Sequence, residues 1–314
     1  MSEFHCAQMK RLAPFLAFIF VCLPLAAQGK PARPKITGID QVRIYVTDLG
    51  NSRQFYAKLF GVRPNGGACD DKSGRCFTVG WERDQRIALE HAPVSGTKNW
   101  IAEIAFATDD VEGMRNYLVA HGVSASKISK YRYGKHIVEA HFEVRDPEGN
   151  PISFIQRFAY AIDDPGFGDP WFVRILHAGF AVKDMAAENH FYVDLLGFRL
   201  YWHGGFKDEG IDWYELQVPD GDNWIEYMLN ISPTADHQEL GVQNHFSLGV
   251  RDIHAAAEQL HKNGLQKFDG PEIGRDGKWA LDAYDPDGTR VEVMEFKPTQ
   301  KPCCHPYTAD HPKP

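Results

Sequence analysis

The chain's 314 residues allow one large or two ordinary domains, each able to bury its own core. With 43% hydrophobic and 12% aromatic residues it reads as folded rather than disordered. A formal net charge of -8 excludes nucleic acid from the expected partners, since proteins that hold a phosphate backbone present a basic face.

At the start, Met9-Lys10-Arg11 precedes an apolar run from Leu12 to Ala27, and Lys30 to Lys35 is polar and proline-rich. Residues 1–29 therefore read as a secretory signal. The run is short for a transmembrane helix, and Ala27-Gln28-Gly29 sets small residues where a signal peptidase looks. The expected product is exported, periplasmic or extracellular, with no membrane partner after cleavage. It retains Cys69, Cys76, Cys303 and Cys304, an even number that suits an oxidising compartment. Cys69 and Cys76 share one glycine-rich loop and can bridge across it. A bridge between the adjacent Cys303 and Cys304 would strain the backbone, and the spacing is not that of a zinc site, which leaves loop staples or free thiols.

The rest of the chain matches itself. Shifted by 136 residues, Gln41 falls on His177, Asp48 on Asp184, Phe55-Tyr56 on Phe191-Tyr192, Gly61 on Gly197 and Glu90 on Glu226. Shifted by 142, Glu103 falls on His245, Leu118 on Leu260 and Gly122 on Gly264; after a small gap, Asp146-Pro-Glu-Gly149 matches Asp285-Pro-Asp-Gly288. Each repeat opens with a strand, enters an amphipathic helix that stops near a glycine, and continues in strand-like runs joined by turns. The third has a helical stripe of Phe191, Tyr192, Leu195 and Leu196 before Gly197, then strands around 199–203, 212–218 and 223–229. The fourth has Ile253, Ala257 and Leu260 before Gly264, and a last strand over 289–296. The predicted fold is α+β: four βαβββ modules paired into two domains, 36–158 and 172–298. A breaker-rich linker over 159–171 joins them, and a proline-rich tail over 299–314 wraps the surface.

Strand alternation selects the chemistry. His177 and His245 stand at equivalent places in the first strands of the third and fourth modules, on the face opposite the apolar residues. Glu226 and Glu292 share that face in the last strands, and Glu295 turns the other way. If the two modules pack side by side, His177, Glu226, His245 and Glu292 converge in one concavity. Two imidazoles and two carboxylates suit one borderline divalent metal ion, with water in the remaining positions. The first half has Gln41, Glu90, Glu103 and Ser153 at the equivalent positions, which argues against a second strong site and gives that half a structural role.

The phrases His177-Ala-Gly-Phe-Ala-Val-Lys-Asp184, Phe191-Tyr192 to Leu196-Gly197, Asp285-Pro-Asp-Gly-Thr-Arg-Val-Glu292 and their copies resemble the modules of the vicinal oxygen chelate superfamily over about residues 36–298. That superfamily includes glyoxalase I, methylmalonyl-CoA epimerase, extradiol dioxygenases and bleomycin resistance proteins. Resemblance to glyoxalase I implies that His177 and Glu226 form one ligand pair and His245 and Glu292 the other. Glu292 would then act as base, with Glu226 its counterpart, in an isomerase or lyase reaction on a small substrate that chelates nickel, cobalt, zinc, manganese or iron(II) through neighbouring oxygens. Resemblance to the extradiol dioxygenases implies an iron(II) set of His177, His245 and Glu292, with His203 or Tyr227 as acid or base. Resemblance to the bleomycin resistance proteins implies metal-free sequestration of a ligand by Trp213, Trp224, Trp279 and Tyr201. Four modules in one chain permit a monomer, and a homodimer is the alternative.

Overall fold

In the computed structural model the described residues are 30–61, 76–80, 85–93, 100–158 and 171–314. The expected signal, Cys69 and most of the linker lie outside them. The first repeat contains β1 (Ile36–Val46), α1 (Leu49–Leu59), β2 (Cys76–Val79) and β3 (Gln85–His91). The second contains β4 (Ile101–Thr108), α2 (Val111–Ala120), β5 (Ser129–Tyr133), β6 (His136–Arg145) and β7 (Pro151–Arg157). The third runs β8 (Arg174–Ala181), α3 (Met185–Asn189) with a π-helical turn (His190–Leu195), β9 (Arg199–Gly204), β10 (Trp213–Gln217) and β11 (Trp224–Met228). After α4 (His237–Gln243) come β12 (His245–Val250), α5 (Ile253–Lys262), β13 (Asp269–Ile273), β14 (Trp279–Tyr284) and β15 (Arg290–Glu295). The second, third and fourth repeats thus show βαβββ. In the first, the strand expected after the helix falls in 62–75, outside the described residues.

One device starts the main helix of every repeat. Asp48, Asp110, Asp184 and Asp252 end the four opening strands, and each carboxylate accepts from backbone N–H groups of the first turn that have no helical partner. The third helix departs from the expected α period. Leu196 N–H donates to Phe191 carbonyl and Phe198 N–H to Tyr192 carbonyl, so the last turn is widened. This buries Phe191, Tyr192 and Leu196 and leaves Leu195 partly exposed; Gly197, at φ +81°, ends the turn as expected.

The strands form two curled sheets, ordered β2-β3-β1-β4-β7-β6-β5 and β13-β14-β15-β12-β8-β11-β10-β9. In each, the opening strands of two modules lie antiparallel at the centre, and each is flanked by its own module's last strand in parallel. The helical faces of both sheets share one apolar core, containing Val42, Tyr56, Phe106, Phe154, Phe180, Tyr192, Phe246 and Leu248.

The halves are tied reciprocally. Tyr56 on α1 donates to Asp285 at 3.1 Å, and its equivalent Tyr192 donates to Asp146 at 3.3 Å. At the centre, the Gln85 side chain accepts from Ile175 N–H and donates to Ile39 carbonyl, both at 2.7 Å. Asn223 does the converse, accepting from Ile39 N–H at 3.1 Å and donating to Ile175 carbonyl at 2.6 Å.

The tail's residues are almost all exposed or half-buried, and they lie on one particular surface. The tail enters the concave face of the second sheet: Thr308 N–H donates to Tyr201 carbonyl, Trp202 Nε1–H to His305 carbonyl, and Tyr307 packs on Tyr201 with ring centroids 4.8 Å apart. Tyr201 and Trp202 can both receive it because the β9–β10 register slips between Trp202 and Leu200, a bulge that turns consecutive residues to one face. Cys303 and Cys304 are bridged to each other, contrary to the strain argument. Cys304 adopts a left-handed φ of 65° to do so. Cys76 is also disulfide-bonded.

Candidate metal centre

The concave face of the second sheet gathers the four selected residues at its centre. His177 on β8 and His245 on β12 approach through Nε2 atoms 3.0 Å apart. Glu226 on β11 reaches 3.0 Å from His245 Nε2 and 3.7 Å from His177 Nε2, while Glu292 on β15 lies 3.3 Å from His177 Nε2. The histidines are 2% and 0% exposed, so water does little to offset the charges of the carboxylates beside them.

Two residues outside the selected set make this approach possible. Gly179 lies across the central strand pair from His245, and a Cβ there would collide with the His245 ring. Gln243, at the end of α4, offers its carbonyl to His245 Nδ1 at 3.0 Å. That bond places the ring proton on Nδ1 and leaves Nε2 as a lone pair aimed at the cluster. Helix α4 was not expected from the sequence; only its Asp236 N-cap, accepting from Glu239 N–H, carried a local signal.

Burial, and then the neighbouring His245, holds the His177 pKa well below the ordinary histidine value. Burial, and then Arg290, brings His245 down to about 4. Both rings are neutral at neutral pH and able to bind a metal. Burial pushes Glu226 and Glu292 up to about 7, and Arg290 partly offsets it in each.

The Oε2 atom of Glu292 is buried without a hydrogen-bond partner, as is His177 Nδ1. Two ring lone pairs and two carboxylates facing one point repel unless a cation stands among them. Ligand atoms about 2.1 Å from an ion and at right angles to each other lie about 3.0 Å apart, which matches the His177–His245 and His245–Glu226 spacings, with Glu292 a little farther out. The donor set therefore fits a divalent metal ion.

Further polar groups border this centre. Glu215 on β10 pairs directly across from Glu226; it is buried, and its Oε2 atom has no partner. Its parity with Trp213 in the strand was the available signal. Lys278 is wholly buried, with Nζ 3.4 Å from Asp276 and 4.4 Å from the Trp224 ring centroid. Burial alone would lower its pKa, but Tyr201, Asp276 and Glu215 outweigh that and hold it above the ordinary lysine value.

Trp224 packs on His177 with centroids 4.8 Å apart, Trp213 lines the cavity, and Tyr201 faces Lys278. Trp279 instead packs on His254, away from the site. The two proposed acid or base residues are also elsewhere. Tyr227 belongs to the core between the sheets, and His203 stacks on His305 of the tail, because both have the parity opposite to Glu226 and Trp202. Glu295 faces away as expected and accepts from Ile253 N–H at the start of α5.

The first half is filled by its own cation. Arg43 stands across from Glu103 as Gly179 stands across from His245, and its guanidinium lies 3.0 Å from Glu103 and 3.3 Å from Glu90. The register also corrects the self-alignment. Ala88 pairs with Arg43 as Glu226 pairs with Gly179, so Ala88 and not Glu90 holds the Glu226 position. The third repeat is longer than the first between its helix and its last strand, which a single shift of 136 conceals. Ser153 does occupy the place of Glu292.

The model of the Glyoxalase/Bleomycin resistance protein/Dioxygenase superfamily matches residues 38–154 and 174–293. A curated relative, the probable chloroplastic lactoylglutathione lyase of Arabidopsis thaliana, is 27% identical over 133 residues, covering 42% of this chain and 38% of that protein. Among solved structures, a variant of homoprotocatechuate 2,3-dioxygenase from Brevibacterium fuscum superposes with a TM-score of 0.62 at 20% identity, covering 90% of this chain and 75% of that one. The native enzyme of that name from Arthrobacter globiformis gives 0.61 at 19% identity, covering 84% and 81%. At such identities the likeness is one of fold.

Proposed function

Because the chain belongs to the glyoxalase, bleomycin resistance protein and dioxygenase superfamily, we propose that it is a divalent-metal enzyme catalysing an isomerase or lyase reaction on a small molecule with two neighbouring oxygens. His177, Glu226, His245 and Glu292 would hold the ion. The observation that carries this reading is the presence of two carboxylates. His177, His245 and Glu226 already form a compact two-histidine, one-carboxylate group, with Glu226 3.0 Å from His245 Nε2, yet Glu292 stands as a second carboxylate 3.3 Å from His177 Nε2. A bound divalent ion supplies Lewis-acid stabilisation of negative charge developing on the substrate's oxygens.

The chain's own residues supply the rest. Glu292 moves the proton, since it lines the cavity and its buried Oε2 atom makes no hydrogen bond. Glu226 is its counterpart on the opposite flank. The Trp224 ring against His177 keeps water from that side, and Gln243 fixes the His245 tautomer. Export is supported by the disulfide at Cys76 and the Cys303–Cys304 bridge. It would separate the enzyme from cytoplasmic glutathione adducts. A monomer with a small-molecule substrate suffices for this reading, because all four groups come from one chain.

The likeness of fold to homoprotocatechuate 2,3-dioxygenases favours a second reading, an iron(II) dioxygenase using His177, His245 and Glu292. Elemental analysis of protein purified without added metal or chelator separates the readings, beside a His177→Ala/His245→Ala variant. About one nickel, cobalt, zinc or manganese ion per chain, lost in the variant, is the expected result. Iron, together with oxygen consumption on catechols, would put the dioxygenase first. Absence of metal after reconstitution would leave a ligand-binding protein. Glu292→Gln is expected to keep most of the metal and lose turnover by at least about a hundredfold.

A further inference from the structure

The cavity in front of the four ligands measures about 240 Å³, below the roughly 300–1,000 Å³ of sites for drug-sized ligands, so it suits a one-ring molecule or smaller. Among the described residues seven carboxylates line it and two guanidinium groups. Both guanidinium groups are already engaged. Arg290 lies 3.6 Å from Asp282, and Arg275 is held by Asp208 at 2.6 Å and by the Gly205 carbonyl at 3.1 Å, turned towards the tail. Lys278 is wholly buried against Asp276 and the Trp224 ring. With a divalent ion beside Glu226 and Glu292, Lys278 beside Asp276 and Arg290 beside Asp282, the wall keeps Asp269 and Glu272 as carboxylates without a cation of their own among the described residues.

Two further observations point to what meets them. Glu215 lines the cavity, is 3% exposed, and has a carboxylate oxygen without a partner. At the rim, Glu272 is exposed and makes no ion pair among the described residues, and Asp269 stands beside it on β13. Trp213 lines the same cavity, and Phe206, 74% exposed, packs on it with centroids 4.7 Å apart. Carboxylates and aromatic faces without an unengaged cation attract an ammonium group and repel a carboxylate or phosphate.

We infer that the substrate carries a positive charge, as a protonated amine, on the arm away from its chelating oxygens, and that Asp269 and Glu272 select for it. This rests on the proposed chelating centre. It disfavours an acidic glutathione adduct and an arylacetate alike.

The test uses the full chain reconstituted with cobalt(II), titrated with three catechols that share the chelating end. Dopamine carries an ammonium arm, 4-methylcatechol a neutral one and 3,4-dihydroxyphenylacetate a carboxylate. Calorimetry reads affinity, and the cobalt absorption spectrum reads chelation separately. Dopamine is expected to bind at least about tenfold more tightly than the arylacetate, with the gap narrowing as salt rises. In Asp269→Asn/Glu272→Gln the gap should fall to about threefold or less.

Equal or tighter binding of the arylacetate, or a gap that the double variant leaves unchanged, overturns the charge selection. A cobalt spectrum shifted equally by three equally bound catechols removes the selection and keeps the chelating centre. A spectrum unmoved by all three, with dopamine still preferred by calorimetry, removes the chelating centre and keeps the selection. Binding of none removes both.

Discussion

Besides the four cluster positions themselves, one further position distinguishes the two halves. At the place where β1 carries Arg43, β8 carries Gly179. The arginine fills the centre of the first sheet with a guanidinium paired to Glu90 and Glu103. The glycine leaves the space into which the His245 ring swings. Gly179 is thus a requirement of the site rather than of a turn. Gly179→Ala should displace His245 and weaken metal retention by at least about tenfold, while far-UV circular dichroism stays that of the parent. Elemental analysis after dialysis against a weak chelator measures this. Undiminished metal content would show that the ring has room to spare.

At the scale of elements, the sequence carried what is periodic or repeated. The repeat, the alternation that aims His177, His245, Glu226 and Glu292 to one face, and the matching Asp-Pro segments were all legible, because each depends on local pattern or on its recurrence along the chain. The π-helical turn, the bulge at Tyr201 and the docking of the tail were not, since each answers to a surface that exists only after the sheets have formed. Glu215 and Lys278 escaped for a related reason. A charged residue in a strand, as Glu215 is, or in the turn before one, as Lys278 is, reads as solvent-facing, and here both are buried.

Helix α3 shows how burial at this scale sets pH dependence. Glu188 is fully buried; its Oε1 atom accepts from Glu148 N–H at 2.8 Å, and Oε2 has no partner. Burial, and then the nearby Asp146 carboxylate, raises its pKa from 4.5 to about 8. The folded state therefore binds this proton more tightly than the unfolded chain does. The associated stability is complete below about pH 4.5 and is lost as pH rises through about 8. Glu188→Gln removes the charge and keeps an acceptor oxygen for Glu148 N–H. It should raise the melting temperature at pH 8.5 by a few degrees, equivalent to at least about 1 kcal/mol, and change it little at pH 5. A gain of equal size at both pH values would assign the effect to packing instead.

The whole molecule is built as an internal dimer with contacts made in both directions. Each half sends a helix tyrosine to the Asp-Pro turn of the other, Tyr56 to Asp285 and Tyr192 to Asp146. The apolar core runs through both. Phe106 meets Phe198 and Tyr56 meets Phe246 across the divide, with ring centroids 5.3 and 6.5 Å apart. Such a core gives neither sheet a surface on which to stand alone, so the half that carries the two-histidine, two-glutamate cluster depends on the other. Unfolding by denaturant should accordingly be a single transition. Tyr56→Phe and Tyr192→Phe each leave a buried carboxylate short of one donor and should each cost about 1 kcal/mol. The pair lies at equivalent, well-separated places, so the double variant should cost about the sum, still in one transition monitored by both tryptophan fluorescence and far-UV circular dichroism. Two transitions in the double variant, with metal retained through the first, would show instead that the second half keeps its site without the first.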